Sequence, residues 1–212
     1  MPATVVPAPP VPPATPQTQA AVPASPPDAP PLIYSPWNKF CLKGDPPNPR
    51  EACFTGRDAR SEEGQLVTAA ALIEPEGGQK VLRITLPVSV LLSYGARIVI
   101  DREAALPAPY LFCSAQGCFA EFEGTADLIA KLKRGQTLVL QAVNLADKPF
   151  SLPLALSDSA GNSFAKANEG PPTDPKVFEE QQKKLQEELQ KRADEARKKA
   201  EGQGGALAGP AR

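Results

Sequence analysis

The sequence lacks histidine entirely and contains no long apolar run. Without histidine, the chain has neither the side chain that most often serves as a general base near neutral pH nor the commonest metal ligand. No segment approaches the roughly 20 apolar residues that a transmembrane helix needs. The 23 basic and 24 acidic residues nearly cancel, so the net charge does not favour nucleic acid or an anionic membrane. We therefore expect no nucleic-acid partner, and any other partner must recognise local features.

Patterns that carry catalysis are also missing. The sequence contains no Gly-x-Ser-x-Gly motif and no glycine loop that would hold a phosphate. Acidic residues such as Glu121 and Glu123 could serve as the paired carboxylates of a glycosidase, but their i,i+2 spacing on a predicted strand is more typical of a solvent-facing side. We predict that the protein is not an enzyme, with no catalytic residue, no cofactor and no metal site.

Four cysteines form two pairs that are close in the sequence. Cys41 and Cys53 bracket a proline-rich loop at 44–49, and Cys113 and Cys118 flank four residues between two strand-like runs. Facing positions in antiparallel strands lie within disulfide reach, so pairing of neighbours is the simplest connectivity. Zinc and redox sites remain as alternatives, although neither pair has the usual Cys-x-x-Cys spacing.

Structural disulfides require an oxidising compartment, which predicts an exported protein. The first residues do not form an export signal, because Met1 is followed at once by proline. We expect a signal or anchor, and with it a membrane tether, upstream of Pro2.

Composition divides the chain into four parts. Residues 1–33 are dense in proline and alanine, which predicts a disordered tether rich in polyproline II; a loose Pro-x-x-Pro match leaves a proline-rich ligand as the alternative. Residues 34–168 hold nearly all the aromatic and β-branched residues, enough for one disulfide-stapled domain. Residues 169–201 predict a linker and a charged helix, and residues 202–212 a disordered tail.

Short apolar runs fill the predicted domain, and turn residues separate them. The candidate strands are 37–42, 52–56, 65–73, 80–86, 88–92, 97–101, 110–113, 118–122, 137–143 and 150–154. This pattern is typical of a mainly β domain, an antiparallel sandwich or barrel. Alternation is clearest at 81–86, where Arg83 and Thr85 face away from the apolar residues and predict a strand with one wet side.

Helical signals occur at three places. Thr125 can cap a helix at 126–134 that ends before Gly135 and covers one opening of the sheet. A weaker signal covers 159–167. Residues 176–201 predict a solvated helix, because six acid-to-base pairs at i,i+4 each contribute about 0.2–0.5 kcal/mol and the apolar stripe is thin. A partner-binding or membrane-surface helix is the alternative.

Several sequence blocks resemble the invasion-associated locus B family of bacterial envelope proteins. These blocks are SPWNKFC at 35–41, ACFTG at 52–56, AALIEPEG at 70–77, LRITLP at 82–87, APY at 108–110 with Cys113 and Gly117-Cys118, KLKRGQ at 131–136 and GPPTDPKVFEEQQ at 170–182. The resemblance implies an exported, periplasmic or surface-associated β-sandwich-like domain, in a family named for host-cell invasion that brings no established catalytic residues. The function implied is a binding or structural module of the envelope that contacts other envelope or host surface proteins and contributes to host-cell interaction or envelope integrity.

Two other function classes stay open at this point. One is a thiol-disulfide factor that uses Cys113 and Cys118, which a reactive, readily reduced pair would indicate. The other is a small-ligand-binding β domain, whose cavity would be lined by Trp37, Phe40, Phe54, Tyr110 and Phe112. The sequence does not indicate an oligomeric state.

Overall fold

The computed structural model describes residues 32–44 and 50–204, which form eleven strands, three α-helices and one 3-10 turn. The strands are β1 (Ile33–Tyr34), β2 (Asn38–Lys43), β3 (Glu51–Arg60), β4 (Leu66–Pro75), β5 (Val81–Leu86), β6 (Ala96–Ile100), β7 (Leu106–Ala108), β8 (Tyr110–Ser114), β9 (Gly117–Glu123), β10 (Thr137–Val143) and β11 (Pro149–Ala155). The 3-10 turn is Leu92–Tyr94, and the helices are α1 (Ala126–Arg134), α2 (Phe164–Glu169) and α3 (Pro175–Gly204). The predicted tether up to residue 31, positions 45–49 and the tail from residue 205 lie outside the described residues.

The strands form two antiparallel sheets. The larger sheet has seven strands in the order β1-β3-β4-β5-β9-β8, with β2 also paired to β3, and the smaller has the order β11-β10-β6-β7. Ile33 pairs with Arg60, so the strand pairing begins at the last position of the predicted tether. The mainly β, antiparallel fold predicted from the sequence is confirmed.

Both sheets contribute to one apolar core. Leu82, Ile84 and Leu86 of β5 are fully buried, and so are Leu138 and Leu140 of β10 in the facing sheet. On the other side of β5, Arg83 is half-buried and Thr85 is 6% exposed, so the wet side that the alternation predicts is only partly present. The resulting architecture is a β-sandwich whose two inner faces share one set of aliphatic side chains.

Helix α1 closes one opening of the sandwich. The Thr125 hydroxyl accepts a hydrogen bond from the backbone N–H of Leu128 at 3.2 Å, and the helix begins and ends at the predicted residues. Leu128 and Leu132 are buried in the core. A Cβ at Gly135 would lie 2.8 Å from Cγ2 of Ile100, so the chain leaves the helix too close to the core for any side chain.

The prediction of a strand at 88–92 is wrong. Only Val90 makes a bridge, to Asn144, and the chain then forms the turn at 92–94. Val88 and Leu92 are 58% and 56% exposed. The apolar run resembles a buried strand in sequence, but most of its side chains point into solvent.

The second predicted helix is shorter than expected and starts later. The Asp158 carboxylate accepts hydrogen bonds from the N–H groups of Ala160 and Asn162 at 3.1 and 3.0 Å, which holds this segment in a turn. Ser163 then caps α2 through a bond from Lys166 N. The local side-chain bonds of Asp158 compete with helix formation at the start of the predicted range.

Helix α3 is charged and mostly exposed, as predicted, but one stripe touches the larger sheet. Phe178, Leu185 and Leu189 are half-buried. The ring of Phe178 meets Phe40 of β2 edge-on, with 4.7 Å between centroids. A Cβ at Gly64, in the β3–β4 turn, would lie 3.7 Å from Leu189 Cδ1. The helix therefore lies along the outer face of the sheet. None of the helices described in the structure is long and apolar enough to cross a membrane.

Candidate interaction surfaces

Two disulfides join facing residues of neighbouring strands, in the pairing predicted from the sequence. Cys41 of β2 bonds to Cys53 of β3, and Cys113 of β8 bonds to Cys118 of β9, with 4.0 Å between Cα atoms in each pair. All four cysteines of the chain are bonded in this way. On the chain-entropy model, the rings stabilise the fold by about 3 and about 2 kcal/mol, the larger ring contributing more.

The second disulfide braces a hairpin at the edge of the larger sheet. Strand β8 ends the strand order and, within the described residues, pairs only with β9. Leu111 is 60% exposed and Phe112 is 48% exposed. The Phe112 ring stacks on Phe119 at 4.6 Å, and a register shift between Tyr110 and Phe112 marks a bulge. We call this strand, with its two exposed apolar side chains, the β8 edge.

Tyr110 anchors the β8 edge to the core. It is half-buried and packs against the core cluster. Its hydroxyl is buried without a hydrogen-bond partner among the described residues, and burial raises the pKa of Tyr110 to about 12. Because neighbouring positions on β8 face solvent, the strand presents an apolar outer surface while its first residue holds it in place.

A second apolar surface is formed by two loops, β5–β6 and β10–β11. Val88, Leu92, Tyr94 and Leu145 are 58%, 56%, 52% and 67% exposed. The backbone N–H of Leu145 donates to the Ser89 carbonyl at 3.2 Å, which ties the two loops together. We call these four exposed side chains and their loops the apolar loop end.

Few charges interrupt either surface. Segments 85–96, 104–120 and 138–146 contain no charged residue at all. Asp147 is next to the last of these segments, and its carboxylate, close to the Tyr94 hydroxyl, raises the pKa of that phenol. Exposed apolar side chains in charge-poor surroundings mark interaction sites more often than scattered surface leucines do.

The aromatic residues proposed to line a cavity do not come together. Trp37 is 3% exposed and meets Phe164 edge-on at 5.1 Å. Phe40 and Phe54 face each other across β2 and β3, whereas Tyr110 and Phe112 lie on β8, at the opposite edge of the sheet. The described geometry thus distributes these side chains over the core and two separate surfaces.

The acidic residues considered for catalysis also occupy a solvent-facing side. Glu121 accepts hydrogen bonds from Nε and Nη2 of Arg83 at 2.8 and 2.6 Å, and Glu123 is exposed at the end of β9. Within the residues that the structure describes, no three histidine, cysteine, aspartate or glutamate side chains gather into a metal-binding cluster.

Comparison with known proteins identifies the family. The model of the family described as "Invasion associated locus B (IalB) protein" matches residues 37–172. The chain belongs to the IalB family. The crystal structure of invasion associated protein B from Bartonella henselae aligns with this chain at a TM-score of 0.54 and 21% sequence identity, covering 64% of this chain and 90% of that one. At this identity the likeness shows the fold. Curated proteins gave no match.

The IalB match includes both disulfides and both apolar surfaces. It also includes Arg57, a buried cation. Arg57 is 8% exposed. Its Nε donates to the Ser35 carbonyl and its Nη1 to the Ala155 carbonyl, each at 2.7 Å, while Nη2 lies 3.6 Å from the Asp158 carboxylate. Burial lowers the pKa of Arg57, and Asp158 opposes that shift. Sequence analysis did not identify this cluster, and the strand predicted at 52–56 ended one residue before Arg57, which lies within β3.

Proposed function

We propose that this IalB-family chain is an exported, non-enzymatic binding module of the bacterial envelope, located in the periplasm or at the cell surface, and that the β8 edge binds its protein partner. The observation that carries the proposal is an edge strand that, among the described residues, is paired on one side only and carries exposed Leu111 and Phe112 in a segment without charges. Edge strands are normally protected by charge, proline, bulges or covering elements. The bulge and Pro109 lie at the start of β8, whereas the rest of the strand, 111–114, carries no charge. An edge left open in this way suits strand addition by another protein.

The disulfide supports this binding mode. Strand addition gains affinity from main-chain hydrogen bonds and specificity from side chains on alternate positions. Because Cys113 is bonded to Cys118, the hairpin is held in its paired conformation before a partner arrives. Preorganisation of this kind lowers the entropy that binding must overcome. The partners we expect are other envelope proteins or proteins of a host cell surface, in line with the family name.

Site-specific crosslinking in intact cells tests the proposal. A photoreactive amino acid at Leu111 should capture a discrete partner protein, whereas the same group at Leu42 should not. Leu42 is the matched control, because it is 63% exposed on β2 at the other edge of the sheet. Phe112→Asp, combined with the Leu111 probe, should abolish the product. Equal capture at both positions, or none at Leu111, would refute the role of the β8 edge.

The exposure of Cys113 favours a second candidate function, which is thiol-disulfide exchange. Cys113 is exposed at the hairpin, while its partner Cys118 is 1% exposed, so an attacking thiolate could reach one sulfur but not the other. Redox titration separates the two functions. A structural bond has a reduction potential below about −300 mV, whereas a catalytic pair is reduced by glutathione-type buffers near about −200 mV.

A further inference from the structure

The apolar loop end differs from the β8 edge in how its exposed side chains are presented. The apolar loop end presents Val88, Leu92 and Leu145 from two loops, and all three are more than half exposed. These are tips of separate connections and not one strand, so they offer no backbone ladder to a protein partner. Exposed apolar patches mark membrane contacts as well as protein contacts, so the groups beside these tips decide which of the two they fit.

The polar groups beside these tips match a lipid interface. Tyr94 has an apolar ring, and its hydroxyl lies close to Asp147, the acidic residue of these loops, which raises the pKa of the phenol. Arg97 and Lys148, both exposed, come five and three residues after Leu92 and Leu145. The backbone bond from Asn144 N to Lys148 O, at 2.9 Å, closes the turn that carries Leu145. Aromatic rings and cations next to apolar side chains are the combination found where proteins meet bilayer headgroups.

The path of the chain is compatible with the same orientation. Ile33 pairs with Arg60 at the end of β3. The hydroxyl of Thr68, at the start of β4, donates to the Thr85 carbonyl at 2.8 Å, and the β5–β6 loop begins two residues later. The polypeptide therefore enters the sandwich at the end that carries the apolar loop tips. A membrane attachment on the N-terminal side would hold this end towards the bilayer.

From these observations we infer that the apolar loop end docks on the surface of a lipid bilayer by inserting Val88, Leu92 and Leu145 among the lipids. Insertion is driven by apolar burial, so it proceeds on uncharged phosphatidylcholine. Anionic lipid strengthens it several-fold through Arg97 and Lys148. This contact is separate from the β8 edge, and the two surfaces can be disabled independently.

Vesicle sedimentation with the purified full chain tests the inference. Vesicles of phosphatidylcholine, with and without phosphatidylglycerol, should bind the protein, and Leu92→Glu or Leu145→Glu should weaken binding about tenfold or more, because each loses the transfer of one leucine and adds a charge. Leu42→Glu is the matched control, 63% exposed on β2, and should bind as the unchanged protein does. Emission from Trp37, which is 3% exposed, verifies that each variant is folded.

Spectroscopy gives a readout that does not depend on affinity. Because Trp37 is the sole tryptophan and is buried, Leu92→Trp adds one exposed reporter whose emission should shift to the blue with phosphatidylcholine vesicles, and Leu42→Trp should not shift. Absence of binding to either vesicle overturns the inference. So does binding that the leucine variants leave unchanged, or a dimer without lipid that Leu92→Glu dissociates. The crosslink at Leu111 should persist in Leu92→Glu, so failure of one proposal does not decide the other.

Discussion

Replacing Arg57 by leucine should cost more stability than any other single loss of a charge in this fold. Its guanidinium donates to the carbonyls of Ser35 and Ala155 and lies beside Asp158, with the Tyr34 ring 5.4 Å from its Cζ. Hydrogen bonds from a charged group contribute about 1.5–3 kcal/mol each, and removing one partner of a buried ion pair costs about 3–5 kcal/mol.

The net loss should be about 3 kcal/mol, near the lower end of that range, for two reasons. The Ala155 carbonyl keeps its bond from Trp37 Nε1 at 3.0 Å, and Asp158 retains bonds from its own turn. Leucine also removes the desolvation cost of burying a cation. For a domain of this size the melting temperature should fall by about 6–12 °C. Arg57→Lys keeps the charge and should recover part of the lost stability. The recovery should be incomplete, because an ammonium cannot donate to both carbonyls as the planar guanidinium does.

Urea unfolding followed by Trp37 fluorescence measures the effect directly, because Trp37 shares the Ala155 carbonyl with Arg57. The control is Arg83→Leu, which removes the same charge and a shorter ion pair, 2.6 Å to Glu121. The Arg83 side chain is 39% exposed, so its loss should cost less than about 1 kcal/mol. If both variants lose the same free energy of unfolding, burial does not explain the contribution of Arg57 to stability.

Three further predictions concern the core, the helix and the covalent links. Burial raises the pKa of Tyr110 to about 12, so between about pH 10 and that value the unfolded chain loses a proton that the folded state keeps. The free energy of unfolding should fall across this window in urea titrations and fall less steeply in Tyr110→Phe; parallel curves would contradict it. A double-mutant cycle on Phe40→Ala and Phe178→Ala should give a coupling of about 0.5–1.5 kcal/mol by chemical denaturation, and a value of zero would mean that α3 is undocked. Cys41→Ala with Cys53→Ala should lower the unfolding free energy by about 3 kcal/mol, and an unchanged denaturation midpoint would refute this.

Local signals in the sequence predicted α1 to the residue. Thr125 and Gly135 determine where it begins and ends, and neither depends on distant parts of the chain. The cysteine pairs were predictable for the same reason, because each pair is separated by a short loop. The helical signal after Pro175 was also local, although its contact with Phe40 was not visible in the sequence.

The sequence predictions failed where apolar side chains are exposed to solvent instead of buried in the core. The run from Val88 to Leu92 has the composition of a buried strand, yet only Val90 is both bridged and buried. Periodicity alone could not separate a core strand from apolar side chains displayed to a partner. Arg57 was missed because its ligands come from positions 22 and 98 residues away, and no sequence pattern marks so distant a set of carbonyl groups.

The connectivity of the two disulfides has a consequence for how the protein matures. Each bond joins a cysteine to the next one along the chain. On the proposed export route, the first two cysteines to leave a translocation pore are therefore already the correct partners, and so are the last two. An oxidant that acts on thiols in their order of arrival gives the native pairing, one of the three arrangements that four cysteines allow. Such a chain can mature without an isomerase to reshuffle its bonds.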